Sequence, residues 1–138
     1  MPTWAKVLLT IVAIGIALFI AAGFVGYHWV MKNKDHLMAT RTEGVAFGKG
    51  KDSSACVDGA LKRLTGGLTA QIDAKLFIEG CLTTATPSTP FCADVPPPSE
   101  IMKAAQWSVD QCRKRGVSDQ QGCTQVMQSV AQFCQKQR

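Results

Sequence analysis

The six cysteines are the residues of this chain whose type and spacing could do chemistry. So many in 138 residues indicate a disulfide framework rather than isolated thiols. A zinc, haem or thioredoxin-like centre would bring cysteines two to four residues apart, as in C-x-x-C, and no such pair occurs. Both histidines, His28 and His36, precede the cysteine region. The sequence therefore predicts structural disulfides, no metal site and no cofactor.

Helical register predicts how these cysteines pair. Cys123 and Cys134 lie about three turns apart on one helical face, which is too far for them to bond each other. If the chain turns back near Val117, Cys112 and Cys123 are equally distant from the turn and face each other. Cys92, in the loop before this hairpin, then reaches Cys134. Cys56 and Cys81 lie about one helical turn out of register across a turn at residues 66–67 and are paired as the two cysteines left over. The predicted pairs are Cys56–Cys81, Cys92–Cys134 and Cys112–Cys123, chosen from the many sets that six cysteines allow.

Other reactive side chains are too sparse for a catalytic set. No histidine lies within the cysteine region, so a nucleophile and its base are hard to assemble there. Glu79 stands beside Phe77 and Ile78, and a partly buried structural acid is the favoured interpretation. An enzyme would need a pocket around Glu79. Trp107 is interpreted as a core residue. We therefore predict no enzymatic activity and no catalytic residue.

The segments that carry the cysteines are predicted to form four helices, which gives an all-α domain over residues 53–138. Apolar residues recur with the helical period, and no stretch alternates as a strand would. A proline-rich segment after residue 84 interrupts the pattern, because proline lacks a donor and clashes with a preceding carbonyl. Ser118 with Gln121 predicts a capping box for the last helix. The predicted helices cover residues 53–65, 69–84, 100–115 and 119–136. The predicted apolar side of the third is Ile101, Ala104, Ala105 and Val109.

A transmembrane helix is predicted ahead of this domain, with residues 1–31 as the anchor. Residues 7–30 contain no charged side chain, and about 20 helical residues cross a bilayer core of about 30 Å. A cleaved signal peptide is the alternative, with Ala21-Ala22-Gly23 as its cleavage site, but the run exceeds the usual apolar length of about 7–15 residues. Aromatic and basic residues flank the run as they do at a membrane interface. The predicted interface residues are Trp4, Tyr27, Trp29, Lys32 and Lys34.

Small residues repeat every four positions along this helix. Such spacing lets two helices approach closely in lipid, although it also arises in any alanine-rich span. The residues predicted to pack against a partner helix are Ala13, Ala17, Ala21, Ala22 and Gly26.

Residues 32–52 are predicted to form a basic juxtamembrane linker, helical at most in its first part. Residues 32–51 hold five basic and two acidic residues and so supply +3 of the net charge of +5. Charge placed there suits anionic lipid headgroups, so no nucleic-acid partner is predicted.

The topology signals conflict. Basic residues after the span favour a cytoplasmic carboxyl side, whereas stable disulfides need an oxidising compartment. The cysteines outweigh the charges, because long domains translocate largely regardless of loop charge. We expect an inner-membrane protein with a cytoplasmic amino terminus and a periplasmic domain. A eukaryotic organelle membrane or cell surface fits the same physics.

Two functional hypotheses follow. The first is a single-pass accessory or assembly subunit of a larger membrane complex, with lipid and other membrane subunits as partners. The second is a membrane-tethered module that binds a lipid or other apolar ligand. A filled core favours the first. A core cavity favours the second, and its predicted lining is Leu61, Leu64, Leu76, Phe77 and Val130.

Overall fold

Five α-helices form the structure of this protein. The computed structural model describes residues 2–88 and 90–138, and no strand occurs in these ranges. They form two compact units, one ending at His36 and the other covering Leu37–Arg138. The predicted all-α fold is confirmed. The helices are α1 (Thr3–Gly48), α2 (Ser53–Leu61), α3 (Leu68–Thr84), α4 (Ile101–Arg115) and α5 (Gln120–Lys136).

In the first unit, α1 is long and apolar enough to cross a membrane. None of its most apolar window is buried inside the structure. Its polar side chains bond to the helix itself: Thr10 Oγ1 donates to the Lys6 carbonyl at 2.9 Å, and Asn33 Nδ2 donates to the Trp29 carbonyl at 2.7 Å. Internal hydrogen bonding of this kind is what a lipid environment requires.

The second unit begins inside the segment predicted to be a linker. Residues 37–48 are helical, and Thr40, Gly44 and Gly48 are buried. A Cβ atom at Gly44 would lie 2.3 Å from the Phe77 carbonyl oxygen, so the backbones of α1 and α3 are nearly in contact. The predicted linker is therefore wrong over residues 37–48, because small residues spaced every four let this turn of helix pack closely.

The core of the second unit lies between α2, α3, α4 and α5. Phe77, Ile78 and Met127 are the largest of its fully buried side chains, five of the six cysteines are buried with them, and Cys92 packs against this core from its edge. Arg63 places its guanidinium 4.1 Å from the Phe77 ring and pairs with Glu43, which holds the end of α1 against α2 and α3. A core with so few large residues depends on covalent bridges.

Helix ends are fixed by acidic caps and one glycine. Asp52 accepts a hydrogen bond from the Ala55 amide at the start of α2. Asp119 accepts one from the Gly122 amide at the start of α5, so the predicted Ser118 cap is wrong by one residue. Gly116 ends α4 with a φ of 64°, a conformation that glycine adopts without strain.

The predicted apolar side of α4 is only partly correct. Ile101 is 76% exposed, whereas Ser108 and Cys112 are the buried residues of this helix. Val95 of the preceding loop is buried instead, and Arg138 Nη2 donates to its carbonyl at 2.6 Å. Gln135 Nε2 also donates to the Pro96 carbonyl at 3.1 Å, so this loop is tied to the end of α5.

Candidate interaction sites

The cysteines form three disulfides, and no free cysteine occurs in the described ranges. Their Cα–Cα distances are 5.7, 5.4 and 5.9 Å, which lie in the usual range for the bond. Each disulfide joins two antiparallel or adjacent segments, and none of the described cysteines is left as a reactive thiol. This chemistry is consistent with an oxidising compartment. The bridges are Cys56–Cys81, Cys92–Cys134 and Cys112–Cys123, which are the predicted pairs.

The residues predicted to lie at the membrane interface are on the surface of the first unit. Trp4 and Tyr27 are 69% and 65% exposed, and Trp29 is 37% exposed. Lys32 and Lys34 are exposed as well. Their position in lipid stays a prediction.

The small-residue stripe of α1 also faces open space. A Cβ atom at Gly26 would meet nothing within 4 Å. The remaining predicted packing residues, Ala13, Ala17, Ala21 and Ala22, are exposed. Contact of this stripe with a partner helix stays a prediction.

An exposed apolar stripe lies at the start of α4, and we call it the α4 patch. It consists of Pro98, Ile101, Met102 and Ala105, all exposed, with Met102 at 82%. A groove of about 220 Å³ adjoins it on the α5 side and is rimmed by Gln128, Gln132 and Gln135. Ile101 and Ala105 belong to the side of this helix that the sequence predicts to be apolar, whereas Pro98 and Met102 do not.

A pocket of about 600 Å³ opens between the end of α1, α3 and α5, and we call it the α3–α5 pocket. Arg41, Glu79 and Lys136 contribute charged groups to it. Its apolar lining is Leu82, Ala85, Pro87 and Phe133. Glu79 is partly buried, as predicted from its apolar neighbours. The other pocket residues come from distant parts of the chain, so no local sequence pattern could have identified this site.

Trp107 packs against the core, as predicted, and lines a second pocket of about 180 Å³. Its Nε1 atom is buried and has no hydrogen-bond partner within the described structure. Phe91 and Met127 surround it. This donor is the one polar atom that the packing of the described side chains leaves unsatisfied.

The side chains predicted to line an apolar cavity lie in or against the core. Phe77 and Val130 are each 1% exposed, and Leu61 and Leu64 pack against the core from its edge. Leu76 is partly buried. The α3–α5 pocket shares none of these residues.

Within residues 2–88 and 90–138, no three His, Cys, Asp or Glu side chains are placed to hold a metal ion. Comparison with protein-family models, with curated proteins and with solved structures gave no match.

Proposed function

We propose that this protein is a single-pass accessory or assembly subunit of a larger membrane complex. One observation carries the proposal: a disulfide-bonded helical unit exposes an ordered apolar stripe, the α4 patch. Burying Ile101 and Met102, now 76% and 82% exposed, against a partner would gain about 1.5–3 kcal/mol for each side chain.

The chemistry around the α4 patch suits a protein partner. Protein interfaces place apolar residues at the centre, deplete charge there and surround the centre with polar groups. The glutamines of the adjoining groove supply uncharged donors and acceptors beside the stripe. The two charged residues within the stripe's span, Lys103 and Glu100, pair with each other at 2.9 Å.

The exposed small-residue stripe of α1 offers a second contact, inside the membrane. Close helix approach in lipid is favoured by residues such as Ala22 and Gly26, since apolar burial gives no net drive there. We place the chain in an inner membrane with its amino terminus in the cytoplasm and its disulfide-bonded unit in the periplasm. No catalytic step is part of the proposal.

Detergent extraction of native membranes without reductant tests the proposal. We expect the wild type to migrate in an assembly well above its own mass of 14.9 kDa, with no free thiols. Replacing Ile101 and Met102 by serine should release the chain from the assembly. Leu68→Ser is the matched control, because Leu68 is 70% exposed at the start of α3 and lies outside the patch.

Migration of the wild type as a lone chain would contradict the subunit hypothesis. Six free thiols would contradict the periplasmic topology. If Leu68→Ser and the patch variant had equal effects, the α4 patch would not be the docking surface.

A further inference from the structure

Three charged side chains around the α3–α5 pocket have no ion-pair partner. Arg41 and Lys136 are cationic and Glu79 is anionic, and none of them belongs to the ion pairs formed by the described residues. The surface acids Glu43, Asp58, Glu100 and Asp110 do have cationic partners. The pocket therefore presents both signs of charge, free for a bound molecule.

The pocket also has an apolar part, formed by Leu82, Ala85, Pro87 and Phe133. Uncharged polar residues line the rest of it, namely Thr83, Ser129, Gln132 and Gln137. A volume of about 600 Å³ lies within the usual range for small-molecule sites. Such a site fits a molecule that carries an anionic group, a cationic group and an apolar part.

The types of the charged residues in the pocket indicate which charged groups the bound molecule carries. Guanidinium and ammonium groups such as those of Arg41 and Lys136 bind phosphate oxygens strongly. A quaternary ammonium is usually held by several aromatic rings, and Phe133 is the one aromatic residue lining this pocket. A primary ammonium instead donates charge-assisted hydrogen bonds to a carboxylate such as Glu79.

We propose that the α3–α5 pocket binds a phospholipid headgroup that joins a phosphate diester to a primary ammonium. Arg41 and Lys136 hold the phosphate, Glu79 accepts from the ammonium, and the start of the lipid's apolar part lies against Phe133. A chain with a membrane-crossing helix meets such lipids continually. The assignment stands whether or not the accessory-subunit proposal holds.

Native mass spectrometry of the full chain, released from detergent with defined lipids, tests this assignment. The probes are phosphatidylethanolamine, phosphatidylglycerol and phosphatidylcholine with identical acyl chains. We expect the wild type to retain phosphatidylethanolamine in preference to the other two. Glu79→Gln should lower phosphatidylethanolamine occupancy roughly tenfold and spare phosphatidylglycerol, since a hydrogen bond to a charged group is removed.

The paired variant Arg41→Gln, Lys136→Gln should weaken retention of all three lipids. The matched control neutralises a surface pair outside the pocket, with Glu100→Gln and Lys103→Gln, and should behave as the wild type. If Glu79→Gln strengthened binding of every lipid, the pocket would be a site for anions alone. If all variants retained lipid equally, the adducts would belong to the membrane helix.

A soluble probe keeps the test independent of lipid bound elsewhere. Phosphoethanolamine added to the detergent-solubilised chain should shift the side-chain amide resonances of Gln132 and Gln137, which line the pocket. The shifts should disappear in Glu79→Gln. Unchanged resonances in the wild type would overturn the proposal.

Discussion

Gly44, Gly48 and Gly80 set the contact between the end of α1 and α3. A Cβ atom at any of the three would lie 2.3 Å from a backbone oxygen of the facing helix. No side chain can bend away from such a clash, because the Cβ position is fixed by the backbone. Glycine is therefore required here for close approach, although it weakens a helix interior by about 1 kcal/mol.

Gly44→Ala is expected to destabilise the second unit. The methyl group meets the Phe77 carbonyl, and overpacking of this kind costs about 1–3 kcal/mol, which exceeds the gain in helix propensity. Gly15→Ala, in the same helix, meets nothing within 4 Å and should leave unfolding of the unit unchanged. Near-UV circular dichroism during denaturation measures the unfolding midpoint of both variants. Equal midpoints for Gly44→Ala and Gly15→Ala would show that the end of α1 and α3 do not pack this closely.

Removing a disulfide should cost more when the bridge closes a longer loop. The Cys92–Cys134 loop has a sequence separation of 42 and the Cys112–Cys123 loop one of 11, which correspond to about 3.9 and about 2.8 kcal/mol in the chain-entropy treatment. Replacing both cysteines of a pair by alanine leaves no free thiol. Denaturant midpoints of the two double variants should follow this order, and the reverse order would mean that native packing outweighs loop closure.

Single residues differ in how far the sequence reveals them. Cys112 and Cys123 could be paired because helical periodicity fixes which residues share a face and how far each lies from the turn. Gly44 and Gly48 were assigned to a linker, since glycine is common both in flexible segments and at close helix contacts. The spacing of Thr40, Gly44 and Gly48 every four residues is what distinguishes a close helix contact from a flexible segment. It can be recognised as such only when the facing helix is known.

At the scale of elements, α5 organises the second unit. It packs against α2, α3 and α4, and its first turn is tied to α3 through Asp119. Gln71 Nε2 donates to both carboxylate oxygens of Asp119 at 3.2 and 3.3 Å, while Asp119 also accepts from the Gly122 amide. One carboxylate therefore caps a helix and joins it to its neighbour.

Asp119→Ala should cost more than Asp52→Ala, although each residue caps a helix. Loss of a cap costs about 0.5–2 kcal/mol, and only the Asp119 variant also leaves the buried Gln71 amide without its partner. We expect Asp119→Ala near the upper end of that range and Asp52→Ala near the lower. Asp119→Asn keeps an acceptor oxygen and is the control. Thermal unfolding of the three variants measures the loss of stability, and equal losses for Asp119→Ala and Asp52→Ala would contradict the link between Asp119 and Gln71.

Element boundaries followed from the sequence more closely than element orientation. The predicted third helix, residues 100–115, agrees with α4 to within one residue at its start. The side of this helix that is exposed did not follow from the sequence. Apolar periodicity identifies an apolar stripe, but it does not show whether the rest of the chain or a partner covers that stripe. Val95, in a proline-rich loop without periodicity, was the residue that decided the question.

For the whole molecule, the order of the bridges along the chain matters. Cys56–Cys81 closes before Cys92 begins the second bridge, and Cys112–Cys123 lies entirely within the Cys92–Cys134 loop. Residues 82–91 are consequently crossed by no disulfide. Apart from the polypeptide chain itself, the two halves of the second unit are held together by noncovalent contacts, among them the Gln71–Asp119 hydrogen bonds and the Arg115–Asp58 ion pair.

A protease site inserted between Pro87 and Ser88 should therefore yield two separate fragments on a denaturing gel without reductant. The same site inserted at Val117, inside the Cys112–Cys123 loop, is the control and should leave one band until reductant is added. A single band from the first insertion would disprove the bridge order. Before denaturation we expect both cleaved proteins to stay associated, because the α3–α5 contact is buried.

The same order has a consequence for biogenesis. If the second unit crosses the membrane amino end first, as the proposed topology requires, Cys56 meets its native partner Cys81 as the next cysteine to emerge, whereas Cys92 meets Cys112 before Cys134. Oxidation in order of appearance thus produces a wrong crosslink, and reaching the native set requires thiolate attack on that bond. Maturation of this protein should depend on a disulfide isomerase, and cells that lack one should accumulate a form fully oxidised yet incorrectly connected.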